Sequence, residues 1–150
     1  MSKGKRVLTL TAVFLLAGLF LHSYIQHQRE AERRNQRQTA EDIGLYILEG
    51  ASSGQFQVGE DICLSQLDPS EAVVQSALAQ PSFHRIRLVE KDVVLIMGDT
   101  LFQSVSGYLV TTGERELPAQ YETGLKSLDA GGRVHTGKIT EHLYGWTGGL

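Results

Sequence analysis

Residues 131–140, GGRVHTGKIT, place Gly132, Gly137 and Lys138 almost as a phosphate-cradling P-loop does. Such a loop needs a hydroxyl directly after the lysine to hold magnesium, a buried strand before it and a helix behind it. Here Ile139 follows Lys138, Thr140 comes one place late, and the preceding GLKSLDA does not read as a buried strand. The glycines instead read as turn residues flanking a short strand, with no nucleotide bound. Nor do the other chemistry-bearing residues group by spacing. His135 and His142 are seven apart, not the four that puts two ligands on one helix face. His84 and Glu141 join them only by chance of folding, so neither a metal site nor a cofactor is expected. Ser104 and Ser106 lack the G-x-S-x-G elbow of a serine nucleophile. Asp92 and Asp99 stand where turns favour Asp for local backbone bonds. Cys63 is the only cysteine, which excludes an internal disulfide and a cysteine-based zinc site. It reads as a small buried residue. No catalytic set emerges, and a non-enzymatic protein is expected.

The elements that would carry these residues begin with an apolar run. Val7 to Ile25, VLTLTAVFLLAGLFLHSYI, contains no Asp, Glu, Lys or Arg and follows Lys3, Lys5 and Arg6. At about 1.5 Å per residue it matches the roughly 30 Å hydrocarbon core of a bilayer. Val7, Leu8, Val13, Phe14, Leu15, Leu16, Leu19, Phe20, Leu21 and Ile25 would face lipid, and His22 would lie near the interface. The run ends without the small-residue pair of a cleavage site, and Leu19 stands where a lipoprotein box would need Cys. An uncleaved signal anchor in the plasma (inner) membrane is expected over 7–25, with a basic cytoplasmic head at 1–6.

Charge divides along the chain. Residues 1–37 carry seven basic and two acidic side chains, net +5. Residues 38–150 carry seven and fifteen, net −8, and the two give the total of −3. The acidic part argues against nucleic-acid binding. Residues 26–49 are rich in Gln, Glu, Arg and Ala, which favours a helical stalk. Ile43 and Ile47 are spaced to dock that stalk by one face. GASSGQ, residues 50–55, reads as a linker.

The rest, 56–150, is sized for a small α+β domain: an antiparallel sheet packed with one helix. LDPSEAVVQSALAQP reads as that helix, with Asp68 as N-cap, Pro69 at the first position and Glu71 completing a capping box. Val73, Val74, Ala77 and Leu78 form its apolar stripe. FHRIRLV alternates, with Ile86 and Leu88 on one side. VVLIM is a continuous apolar run of the kind a strand buried on both faces shows. TLFQSVS and GYLVTTG extend the meander, the latter bringing Tyr108 into the sheet. RVHTGKITEHLYGW adds a last hairpin, and the tail YGWTGGL, with Tyr144, Trp146 and Leu150, is the candidate partner contact.

A basic head, one apolar helix, a helical stalk and a small α+β head together resemble the pseudopilins and minor pilins. The resemblance covers residues 1 to about 50 and is architectural. Lys3-Gly4 stands where a prepilin peptidase cuts. That family places an apolar residue directly after the glycine and Glu as fifth residue of the mature chain, where this chain has Lys5 and Thr9. The resemblance implies a subunit of a membrane-anchored assembly. The residues themselves lead to a single-pass, non-catalytic binding or assembly component of an envelope complex. The lipid bilayer and a membrane or envelope protein are its expected partners, and the head faces outward. A membrane-tethered hydrolase is the alternative from another class.

Overall fold

A computed structural model describes residues 3–83, 85–101, 104–125 and 132–149. The side chains of residues 3–10 and 99–101 are outside the description. His84 and Leu150, both named above, lie outside the described residues.

One helix, α1, runs Lys3–Ser52. Its sequence holds no Pro, and Gln, Glu, Arg and Ala carry its polar middle. It stops where Gly54 takes φ of +83°, a left-handed conformation that suits glycine after a helix end. The chain divides into two compact units, Met1–Asn35 and Gln36–Leu150.

In the first unit Val13, Phe14, Leu15, Leu16, Leu19, Phe20 and Leu21 are all exposed. Among the described residues no helix is long and apolar enough to cross a membrane. Within the apolar run, side chains are described for residues 11–25. The side chains of Val7 and Leu8 lie outside the description. The spanning segment expected over Val7–Ile25 is thus unsupported, and what stands is a long N-terminal helix.

The second unit is an α+β layer. It begins at Gln36, earlier than the 56 expected, because the end of α1 is core. Ala40, Ile43 and Ile47 are fully buried and Leu48 nearly so, an i, i+3, i+7, i+8 stripe. Gly44 sits at its centre, where a Cβ would come within 2.5 Å of the Val110 side chain. Only glycine lets the helix approach the sheet this closely. After α1 come β1 (Asp61–Ile62), one 3-10 turn (Leu64–Gln66) and α2 (Ala72–Leu78). The helix α2 starts later than its capping signals suggest. Asp68 accepts from the Ser70 N–H at 2.8 Å and makes a local turn, while Glu71 is the N-cap residue without a side-chain cap. The local Asp68 bond competes with helix propagation and wins. Val74 and Ala77 of the expected stripe are buried, whereas Leu78 is exposed.

Six further strands follow: β2 (Arg85–Glu90), β3 (Val93–Leu101), β4 (Ser104–Thr111), β5 (Gln120–Glu122), β6 (Arg133–Lys138) and β7 (Leu143–Gly149). With β1 they form one antiparallel sheet in the order β1-β2-β3-β4-β7-β6-β5. Ile86 and Leu88 are buried on one face, as their alternation predicts. Val93 to Ile96 are buried throughout, because each face of β3 has its own core. Val94 and Ile96 pack with Ile43, Ile47, Val74 and Phe83. Val93 and Leu95 pack with Leu117, Tyr121, Val134, Tyr144 and Trp146. The second core needs a cover, and the sheet supplies it by curling: Tyr121 of β5 donates to Glu90 of β2, five places away in strand order.

Both sheet ends are two- or three-residue strands. At one end Asp61 is clamped by Arg85 (2.5 Å) and Arg87 (2.6 and 2.9 Å). Hydrogen bonds from Arg85 and then Arg87 hold the Asp61 carboxyl at about 2. A depressed carboxyl stabilises the fold above its unfolded value, and that contribution is lost as pH falls through about 2. The groups are partly exposed, so solvent screening keeps the effect under about 1 kcal/mol. The expected result is that Asp61→Asn lowers the urea midpoint slightly at pH 7 and that the difference shrinks towards pH 2. An equal difference at both pH values would show that the clamp does not act through the carboxylate charge.

Candidate functional site

The second unit has a concavity of about 290 Å³ beside Gln36 and Arg37 of α1. Its floor is made of small residues on three neighbouring strands: Gly98 on β3, Ser106 on β4, and Gly145 and Thr147 on β7. Tyr108 closes one side. Its hydroxyl donates to Gln36 Oε1 at 3.2 Å, the Gln36 amide donates to Ser82 Oγ, and its ring meets Phe83 edge-on at 6.5 Å. Ile139 lies at the rim, and Arg37 is exposed there. The trough offers backbone, hydroxyls and one cation. Ser106, considered above as a nucleophile, is here an exposed strand serine on its floor.

Glu90, Asp92, Arg115 and Tyr121 form a second charged group. Arg115 Nη1 donates to Glu90 and lies 3.4 Å from Asp92, and its guanidinium sits 5.6 Å from the Tyr121 ring centre. The Arg115 hydrogen bond holds Glu90 below the usual carboxylate range. Burial, and then the bond to Glu90, push the Tyr121 phenol far above its ordinary value. The group is a clasp that ties β2 to β5 across the second core. Asp92, read as a turn residue, belongs to it; the Asp99 side chain lies outside the description.

The P-loop-like segment is strand β6. Gly137 pairs with Gly145, and Lys138 donates to Glu116 at 2.8 Å. The chain then turns into β7, not into a helix that would face phosphates. His135 is exposed on β6, while His142 precedes β7 with Nδ1 3.1 Å from the Thr111 carbonyl. Among the described residues no three His, Cys, Asp or Glu side chains are grouped to hold a metal.

Tyr144 and Trp146, proposed from sequence as partner contacts, are each 2 % exposed. Trp146 Nε1 donates to the Ile96 carbonyl at 3.2 Å, and Tyr144 Oη lies 3.4 Å from the Leu117 N–H. The terminal segment is the strand β7, central in the sheet, so its alternating aromatic residues point into the second core. That burial corrects the contact reading for both rings.

Cys63 is exposed, which corrects the expectation of a buried thiol. It precedes the 3-10 turn and lies 3.0 Å from Ser65 Oγ, and that hydrogen bond lowers its pKa. A maleimide is expected to label Cys63 in the folded protein about as fast with denaturant as without. Labelling that requires denaturant would refute the exposed placement. Compared with known proteins, the chain matches no family model, no curated protein and no solved structure.

Proposed function

We propose that this chain is a non-catalytic, single-pass membrane component whose α+β head binds a protein partner in a membrane or envelope complex. One observation carries the reading. Phe14, Leu15 and Leu16 are consecutive helical residues, each more than half exposed, with Val13, Leu19, Phe20 and Leu21 beside them. Consecutive helix positions lie about 100° apart, so this apolar surface goes round the helix. A one-sided stripe would suit a protein groove; an all-round apolar surface suits lipid. Val7 to Ile25 lacks charge, and Lys3, Lys5 and Arg6 precede it, which favours a retained N-terminus and an outward-facing head. In support of binding over catalysis, the charged cluster of Glu90, Asp92 and Arg115 is engaged as a clasp.

Sodium carbonate extraction of membranes from expressing cells tests the anchor. The full chain should stay in the pellet, and release to the supernatant would overturn the reading. Orientation is tested by labelling intact cells at Cys63 and at an engineered Ser53→Cys. Labelling from outside supports an extracytoplasmic head. Protection until lysis, with expression verified, reverses the orientation and makes the head a cytoplasmic adaptor. An intact mass that lacks the first four residues would instead favour a pilin-like subunit.

A further inference from the structure

We infer that Arg29, Arg33 and Arg34 form a collar on α1 that selects anionic lipid headgroups. This inference rests on the membrane-anchor reading above. The three residues lie on the same continuous helix as the exposed apolar segment. Arg29 and Arg33 are four apart and share a face, and Arg34 is adjacent. Measured from Ile25, Arg29 is about 6 Å and Arg34 about 13 Å further along the helix axis. The polar region of one leaflet is roughly 5–8 Å deep. Side chains on a helix lean towards its N-terminus, so these guanidinium groups reach back towards the apolar segment. A long Arg stem can lie along apolar surface while its head meets phosphate, bidentately where geometry allows.

Two further observations place the polar boundary here. Tyr24 is exposed beside the last apolar residues, and its hydroxyl accepts from Gln28 Nε2 at 3.1 Å. An aromatic ring with a polar tip is typical of this depth. The three arginines are exposed, and none has an ion-pair partner among the described residues. Glu30 and Glu32 are the acids on the same stretch, and neither engages them. Three positive against two negative charges leave an excess of one. Near an anionic surface one such charge corresponds to about a fivefold preference at low salt.

The test uses the full chain reconstituted in phosphatidylcholine vesicles with spin-labelled phosphatidylglycerol or spin-labelled phosphatidylcholine. Electron paramagnetic resonance reads the motionally restricted fraction of each. Lys3, Lys5 and Arg6 are first changed to Gln, so that the N-terminal head contributes no side-chain charge. In that background phosphatidylglycerol should be favoured about fivefold, and less so in high salt. Adding Arg29→Gln, Arg33→Gln and Arg34→Gln should abolish the preference, while the three Lys replacements should keep it. Restricted lipid without a preference, or a preference that survives the Gln changes, overturns the collar and leaves the anchor standing. No restricted lipid of either kind removes both.

Discussion

Trp146→Ala is expected to destabilise the head by about 3–5 kcal/mol, as truncation of a buried large aromatic does. The indole is 2 % exposed in the second core, with Tyr144, Leu109 and Val134 in the same cluster. Its N–H crosses β4 to reach the Ile96 carbonyl on β3. The crossing is possible because β4 has Gly107 there. A Cβ at that position would meet the Ile96 oxygen at 2.0 Å and the indole nitrogen at 2.8 Å. Truncation therefore leaves both a cavity and a carbonyl that has lost a donor. Trp146→Phe keeps much of the volume and loses the hydrogen bond, so its cost should be smaller, about 1–3 kcal/mol. Urea unfolding of the full chain in detergent, followed by circular dichroism, measures both. A Trp146→Ala midpoint within error of wild type would mean that the ring is not core and would reopen its reading as a partner contact.

The second large effect is expected at the helix–sheet seam. Ile43→Asp would place a carboxylate where the native side chain is fully buried, against a core that includes Ile47, Val110 and Leu143. A buried unpaired charge either takes up a proton or drives the packed elements apart. A cost of about 4–5 kcal/mol, at the upper end for a single substitution, follows. The separation should be local: proteases should cut α1 between Gln36 and Ser52 before they cut the sheet. Raising the proton concentration should partly restore protection, because the neutral acid is cheaper to bury. Resistance of that segment equal to wild type at pH 7 would show that α1 does not depend on this seam.

These two sites show different degrees of legibility. Ile43 and Ile47 announce themselves by spacing alone, and with Ala40 and Leu48 they complete a helical stripe that can face only one way. Trp146 does not announce its role. A glycine-rich aromatic segment such as YGWTGG suits an exposed tail as well as a strand, and only its place beside β4 turns the ring inward. The clasp was equally hidden. Glu90, Arg115 and Tyr121 are far apart in sequence, and only the curl of the sheet brings them together. The trough has the same origin, since Gly98, Ser106 and Gly145 share a floor by strand register and not by sequence motif. Cys63 reads as buried because its immediate neighbours are apolar, yet the 3-10 turn that follows leaves its thiol in solvent.

What the sequence alone determined is local or compositional: a long helix with a charge-free apolar stretch, the basic-to-acidic division, a helix stripe, the β2 alternation and the doubly buried β3. Periodicity and charge are properties of neighbouring residues, so no long-range contact is needed to read them. Tertiary structure alone decided the strand order, the late start of α2, the burial of Tyr144 and Trp146, the clasp and the trough. Each depends on which strand lies beside which, and an antiparallel sheet whose last three strands pair in the order β7-β6-β5 sets that by cooperative packing of two cores.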